Sequence, residues 1–370
     1  MIAATLAVNA VAAVDPGSVL SWVGRIAVYG LILGLLIVFH ELGHMIVAKR
    51  AGVTVSEFAL GFGPRLFGIE RGGTLYTINL LPIGGFCRMV GEDTADDGSA
   101  DPGNFQHKPL WARFLIILAG PGFNFILAAF IFIVFATVVG EPIATNVVGS
   151  VNPGTPAASA GLAPGDEIRM LDGQTFKSGD EMVGYIHARP NTVIAVDVYR
   201  QGKIVHLKIK TMVQSIGGQD LGAFGFRPKL SALRMSFGAG VLWGLEMVPE
   251  TIAVQGVGLA EMIAHHDASQ LSGPIGIARI VGQAESSGIA DLMSIVAQLS
   301  VILGMFNLLP IPALDGGRIA FFVVELIRGR RVDPEKEGLV HLTGFALIMV
   351  FLAFVTYHDI AQWVSGKGPI

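Results

Sequence analysis

The chain has 370 residues, 52% of them hydrophobic and only 15% charged, with a formal net charge of −4. A soluble domain carries about a quarter charged residues, so this composition excludes an ordinary water-soluble globule, and the lack of a basic run excludes a nucleic-acid partner. The single cysteine, Cys87, excludes an internal disulfide and carries no other assignment than a small core residue.

In chain order, "MIAATLAVNAVAAVDPGS" has no basic leading region and reads as a lead-in, not a cleaved signal. Four segments reach the roughly 18–20 apolar residues that cross a bilayer: Trp22 to Val47, 114–139, 292–309 and 339–357. Lys49, Arg50, Arg65, Arg71, Arg88, Lys108 and Arg113 lie between the first two. Arg318, Arg328, Arg330, Arg331 and Lys336 lie between the last two. Basic residues in short connections stay cytoplasmic, so both connections are expected inside, with the termini and the long 140–290 stretch outside; the Asp-rich 92–101 loop does not change this. Residues 235–264 repeat Phe237, Val241, Leu245, Val248 and Ile252 at helical spacing but carry Glu246, Glu250 and Glu261. That suits an amphipathic helix lying on the membrane or packing on the bundle, not a fifth span.

Inside the first apolar segment stands "HELGH". His40 and His44, four apart, share one helix face. Two neutral imidazoles there can hold one metal ion, and Glu41 is in reach of a water that the metal activates, the H-E-x-x-H arrangement of zinc peptidases. Ionisable groups at membrane depth mark function by default, although polar residues also serve as helix–helix glue. A zinc site needs a third ligand, and "NLLPIPALDGGR" (307–318) offers Asp315 after Pro310 and Pro312 break the helix, with Gly316 and Gly317 allowing a tight turn. An ordinary loop contains the same residues. His265, His266, His341 and His358 have no partner motif.

Residues 55–89 carry short aromatic and β-branched runs around "ERGG", a hairpin signal. Strand backbone at membrane depth must be protein-buried or line a water-filled cavity. Residues 145–211 read as a compact α+β module: "VVGSV" suits a strand, Ser178 and Glu181 are spaced as a capping box, and two alternating strands flank Gln201-Gly202.

With "HELGH", "NLLPIPALDGG", "FQHKPLWARFLIILAGPGFNFILA" (105–128) and "SGPIGIA" (272–278) in this order, the chain resembles the site-2 protease family of intramembrane zinc metalloproteases, of the bacterial regulator-of-sigma-E protease type. The resemblance runs from about Gly34 to Glu325. It implies Zn2+ held by His40, His44 and Asp315, Glu41 as general base, and Asn307 orienting substrate or stabilising the oxyanion. Asn307 also reads as a helix-ending amide on backbone freed by Pro310. Asn124 resembles a family position but reads as packing support, with Gly120 and Gly122 letting helices approach. The family's membrane-associated β-element adds a substrate strand at its edge, to which Gly61, Phe62 and Gly63 are assigned for close backbone approach; a solvent-side hairpin is the alternative. The module at 145–211 resembles a single PDZ domain, a size filter or a peptide-capture site.

The expected fold is therefore a polytopic α-helical membrane protein with about four transmembrane helices, a membrane-associated β-hairpin and one inserted extracytoplasmic PDZ domain. Its parts are the lead and first helix (1–54), the β-element and cytoplasmic loop (55–112), the second helix (113–140), the PDZ domain (145–211), an amphipathic linker (212–288), and the last two helices (289–370). The implied activity is cleavage of single-span membrane proteins, anti-sigma-factor-like substrates or remnant signal peptides, in a bacterial inner membrane after an upstream site-1-type protease has trimmed them. A non-catalytic PDZ scaffold or a metal transporter are the alternatives; Glu41 and the single cluster of ligands speak against both.

Overall fold

The computed structural model describes residues 16–92, 101–216, 219–265 and 273–364. The lead up to residue 15, most of the Asp-rich loop and His266 lie outside the described residues. In chain order the elements are α1 (Pro16–Arg50), β1 (Val55–Arg71), β2 (Thr74–Met89), α2 (Leu110–Val134), β3 (Glu141–Val151), α3 (Pro156–Ser159), β4 (Glu167–Leu171), α4 (Gly179–His187), β5 (Val193–Arg200), β6 (Lys203–Lys210), β7 (Met212–Ile216), β8 (Gln219–Ala223), β9 (Phe226–Leu233), α5 (Phe237–His265), α6 (Pro274–Ser287), α7 (Ile289–Asn307), α8 (Asp315–Arg328) and α9 (Pro334–Val364). They form two units, Met1–Ile133 with Val241–Ile370, and the inserted Val134–Gly240.

In the first unit, five helices are long and apolar enough to cross a membrane: Ala27–Arg50, Leu110–Val139, Phe237–Met262, Ile289–Asn307 and Glu335–Ala361. The third adds a helix of sufficient length and apolarity to the four segments read from the sequence, its three glutamates being spread along it. Its buried face also differs from the expected stripe: Phe237 and Leu245 are exposed, while Trp243, Met247, Val248 and Ile252 pack on Ala128, Phe132, Ala297 and Val301. Gly244 explains the rotation, since a Cβ there would lie 2.6 Å from Ile133 Cγ1. On α9, Leu342, Phe345, Leu347, Val350 and Phe354 are all exposed, a surface that suits lipid and not water.

A second cluster in this unit joins Met45 and Ala48 of α1, Val55, Cys87 and Met89 of the hairpin, Ile116 and Ile117 of α2, and Phe322 of α8. Buried Arg113 of α2 ties the same helices together: its Nη2 donates to Glu325 Oε1 at 2.6 Å, and its guanidinium covers the Phe322 ring. Arg318 pairs with Glu92, linking the first turn of α8 to the end of the hairpin. Asp359 of α9 accepts the N–H groups of Gly273 and Gly276 and so caps α6 from another helix.

The hairpin turns at Gly72 and Gly73, both at positive φ, as "ERGG" predicts. Strand β1 runs between two halves of β2: Phe58 pairs with both Cys87 and Tyr76, and Ala59 with both Phe86 and Thr77. The half ending at Met89 lies against α1, where a side chain on Gly34 would overlap the Pro82 carbonyl. Leu66, Phe67, Ile69, Leu80 and Leu81 are exposed.

The inserted unit is larger than 145–211. Its sheet has the order β6-β5-β4-β3-β9. Strand β9 returns antiparallel along β3, from Glu141↔Leu233 to Val151↔Phe226, so residues assigned to a linker from 212 onward complete the domain. A pairing across that sequence separation leaves no local signal. Inward alternation on β5 buries Ile194, Val196 and Val198 with Leu171, Met182, Ile186 and Phe224. Ser178 caps α4 by accepting the Glu181 N–H, while Glu181 accepts the Lys177 N–H one residue outside the expected box.

Candidate metal centre

Helix α1 carries His40 and His44 through the bundle on one face, 7% and 6% exposed. Their Nε2 atoms are 3.2 Å apart. Asp315 opens α8, and its Oδ2 lies 3.0 Å from His40 Nε2 and 3.5 Å from His44 Nε2. Zinc bonds of about 2.0–2.2 Å at the tetrahedral angle separate donor atoms by roughly 3.3–3.6 Å. The three separations, 3.0, 3.2 and 3.5 Å, come within about 0.3 Å of that spacing. Among the described residues this is the one group of three such side chains whose ligand atoms converge, within 4.8 Å.

Asp315 Oδ2 is buried and no well-formed hydrogen bond satisfies it; its close polar neighbours are His40 Nε2 and His44 Nε2. A carboxylate oxygen left so is unfavourable unless a cation takes it. Two imidazoles and one carboxylate also match the catalytic donor set of zinc enzymes, with a fourth position open. The residues therefore fit the ion.

Helix α2 sets the imidazoles from one stripe of positions four residues apart. The Ile116 carbonyl accepts a hydrogen bond from His44 Nδ1–H at 2.8 Å, which leaves Nε2 its lone pair. At Gly120 a Cβ would overlap His44 Nε2 and lie 2.8 Å from His40 Cε1, so only glycine leaves room for the rings. Asn124, fully buried, has its amide 3.1 Å from His40 Nδ1. The amide's O and N are alike in outline, and the orientation that suits a metal-binding His40 sets Oδ1 against this nitrogen. Oδ1 then accepts Nδ1–H, and His40 Nε2 is free for the metal. Ser300 Oγ holds the Asn124 carbonyl at 2.8 Å. Asn124 thus touches His40 as well as serving packing, whereas Gly122 meets nothing within 4 Å and makes no close approach.

Glu41 Oε2 accepts the backbone N–H of Cys87 at 3.0 Å. The Cys87 thiol is core, as expected; its amide was not foreseen, since any residue supplies one. In the first turn of α8, side chains on Gly316 or Gly317 would collide with the carbonyls of Leu309 and Ile311 in the turn before it. The residue at positive φ is Ala313, at 75°, and its N–H is received by His341 Nδ1 at 2.8 Å. His341, without a partner in the sequence, therefore touches the turn that leads into Asp315. Asn307 Nδ2 donates to the Leu303 carbonyl at 3.0 Å, one turn back in its own helix, whereas the carbonyl that Pro310 leaves without its helical donor is that of Phe306.

The glycines assigned to substrate approach are used otherwise. A Cβ on Gly61 would overlap the Leu81 carbonyl, Asn79 donates to the Gly61 carbonyl at 3.0 Å, and Phe62 pairs with Leu81 and stacks on Phe86. Their freedom serves the hairpin's own register, and Gly63 alone meets only the Leu81 side chain, at 3.9 Å. The backbone that reaches Glu41 belongs to β2.

Comparison with known proteins gives the same reading. Residues 28–351 match Peptidase family M50. The chain is 33% identical to the zinc metalloprotease RasP of Geobacillus kaustophilus, over 90% of this chain and 96% of that one. It is 31% identical to the regulator of sigma-W protease RasP of Bacillus subtilis, over 92% and 99%. A solved PDZ domain of an SdrC-like protein from Listeria monocytogenes is 28% identical over 22% of this chain and 85% of its own, with a TM-score of 0.21. The chain belongs to peptidase family M50, the site-2 protease family of membrane zinc metalloproteases.

Proposed function

We propose that His40, His44 and Asp315 are the zinc ligands, Glu41 is the general base, and the substrates are single-span membrane proteins already trimmed outside. Convergence of the three ligand atoms beside a backbone-held Glu41 carries this reading. When bound, zinc supplies Lewis acidity toward water and the scissile carbonyl. Glu41 removes a proton from the attacking water and returns it to the leaving amine. Asn307 turns its amide from Leu303 toward the substrate carbonyl.

An intact helix shields its peptide bonds, so the substrate must be extended. The Cys87 N–H points away from β1 toward Glu41, which supports strand addition along this edge of β2 and brings the scissile bond to the base. The sigma-W name of the Bacillus subtilis relative supports anti-sigma-factor-like substrates. Four helices cross the membrane with the Arg-rich connections inside a bacterial cell and the inserted unit outside. For α5, only eight steps of chain, about 28 Å at full extension, join His265 to Gly273, which Asp359 holds near the far end of α9. That supports a helix that packs on the bundle without crossing.

The inserted unit reads as a PDZ domain. A hollow of about 320 Å3 lies between Val183, Ile186 and His187 of α4 and Phe226 and Arg227 of edge strand β9, which favours peptide capture over a passive size filter.

The test is purified wild-type and Glu41→Gln protein with a panel of single-span membrane proteins. The variant keeps its zinc and cuts about 10²–10⁴-fold more slowly, the range for loss of a general base. Cutting by the variant at the wild-type rate refutes the role of Glu41.

A further inference from the structure

We propose that His341 is a positioning residue of the metal centre: its Nδ1 holds the Ala313 N–H and thereby fixes the turn that presents Asp315. This rests on Asp315 being the third ligand.

The turn between α7 and α8 cannot hold itself. Pro310 and Pro312 supply no N–H, and the turn's own hydrogen bonds, Ile311 N–H to the Leu309 carbonyl and Leu314 N–H to the Ile311 carbonyl, pass over Ala313. Ala313 stands two residues before Asp315 with φ at 75°, a conformation that a side chain disfavours and that persists only where the surroundings impose it. Its N–H finds its partner on α9, 28 residues along the chain, at 2.8 Å.

Helix α9 is shaped to deliver that partner. One turn beyond His341 stands Gly344, where a Cβ would overlap the Pro312 ring and lie 2.7 Å from the Pro312 carbonyl oxygen. Only a glycine lets the helix backbone come this close to the turn, and the approach sets the reach of His341. On its other side the imidazole meets the ring of Phe321 from α8, centroid to centroid 5.5 Å. The histidine is therefore wedged between the ligand turn and the helix that Asp315 begins.

The second ring nitrogen shows which interaction matters. Accepting from Ala313 requires a lone pair on Nδ1, so the proton sits on Nε2. That atom is buried without a hydrogen-bond partner, and Glu337 Oε1 is 3.9 Å away. A buried, unpaired N–H is unfavourable, and an apolar ring would fill the same space without it. The bond to Ala313 is what a histidine adds here. Without it Ala313 is free to relax toward negative φ, swinging the Asp315 carboxylate away from His40 and His44.

The test uses the full-length apo-protein in detergent, with Co(II) as the probe ion, and reads affinity and the visible ligand-field spectrum. In His341→Asn, Oδ1 stands as far from Cβ as Nδ1 does and replaces the acceptor, so affinity stays within about threefold of wild type and the spectrum is retained. In His341→Gln and His341→Leu the acceptor is misplaced or lost, affinity falls about tenfold or more, and the spectrum shifts, as when a group orienting a ligand is removed. Wild-type affinity and spectrum in the Gln and Leu proteins overturn the proposal, and so does an Asn protein as weak as the Gln one. Should the Leu protein not fold, the Asn and Gln pair decides. Asp315→Ala separates the two readings: if it binds Co(II) like wild type, the ligand assignment fails. If it loses Co(II) while the Gln and Leu proteins keep it, only the role of His341 fails.

Discussion

Replacing Gly120 with alanine tests whether the bare backbone of α2 is what admits the two imidazoles. The added Cβ would overlap His44 Nε2 and lie 2.5 Å from His44 Cε1 and 2.8 Å from His40 Cε1. Restoring van der Waals contact needs a retreat of about 1 Å, and overpacking of this kind costs about 1–3 kcal/mol. Neither ring can retreat freely, because His44 is tied to the Ile116 carbonyl and His40 to Asn124 on the same helix. Losing one such bond adds about 1 kcal/mol. Metal binding requires both rings in place, so the cost falls on binding. The sum of about 2–4 kcal/mol corresponds to zinc affinity roughly 30- to 700-fold weaker. Competition with a chelator of known affinity measures it on detergent-purified protein. Gly122→Ala is the control: nothing lies within 4 Å of its Cβ, and alanine is the better helix former by about 1 kcal/mol. Wild-type zinc affinity in Gly120→Ala, or an equal loss in Gly122→Ala, refutes the reasoning.

Asn124→Ala frees the His40 ring and is expected to weaken zinc binding about 10- to 100-fold in the same assay, whereas Ser300→Ala, which removes a hydrogen bond to the Asn124 carbonyl and leaves its side chain in place, changes it little. In the inserted unit, burial pushes the Asp166 carboxyl up, but hydrogen bonds from Arg200 and the Ala163 N–H outweigh it and hold the pKa below the ordinary carboxylate value. A folded pKa below the unfolded one stabilises fully above about pH 4, and that contribution disappears as pH falls through the folded value. Asp166→Asn should lower local stability at neutral pH by about 1–3 kcal/mol and remove this acid dependence, read from hydrogen exchange of the Val148 and Gly165 amides.

The convergence of His40, His44 and Asp315 is legible in the sequence because their signals are local or strongly punctuated. His40 and His44 declare a shared face by spacing alone, and Asp315 follows two prolines that no regular helix accommodates. Groups that act across the fold left no such mark. Nothing near His341 announces Ala313, and nothing near Asn124 announces His40. The domain boundary at 211 failed for the same reason, since β9 finds β3 only in three dimensions. Gly61 was legible as a close-approach position, but the sequence could not say that the approaching backbone is the hairpin's own Leu81 carbonyl.

Several props of the catalytic machinery are main-chain atoms: a carbonyl at Ile116, an amide at Cys87 and an amide at Ala313. Main-chain groups survive almost any exchange of the side chain they belong to. Positions 87 and 116 are thus free to drift among residues that fill the core equally well, while an inserted or deleted residue nearby would be ruinous. One extra residue between Ile116 and Asn124 would turn half of that helical stripe by about 100°, and no compensating substitution could bring it back.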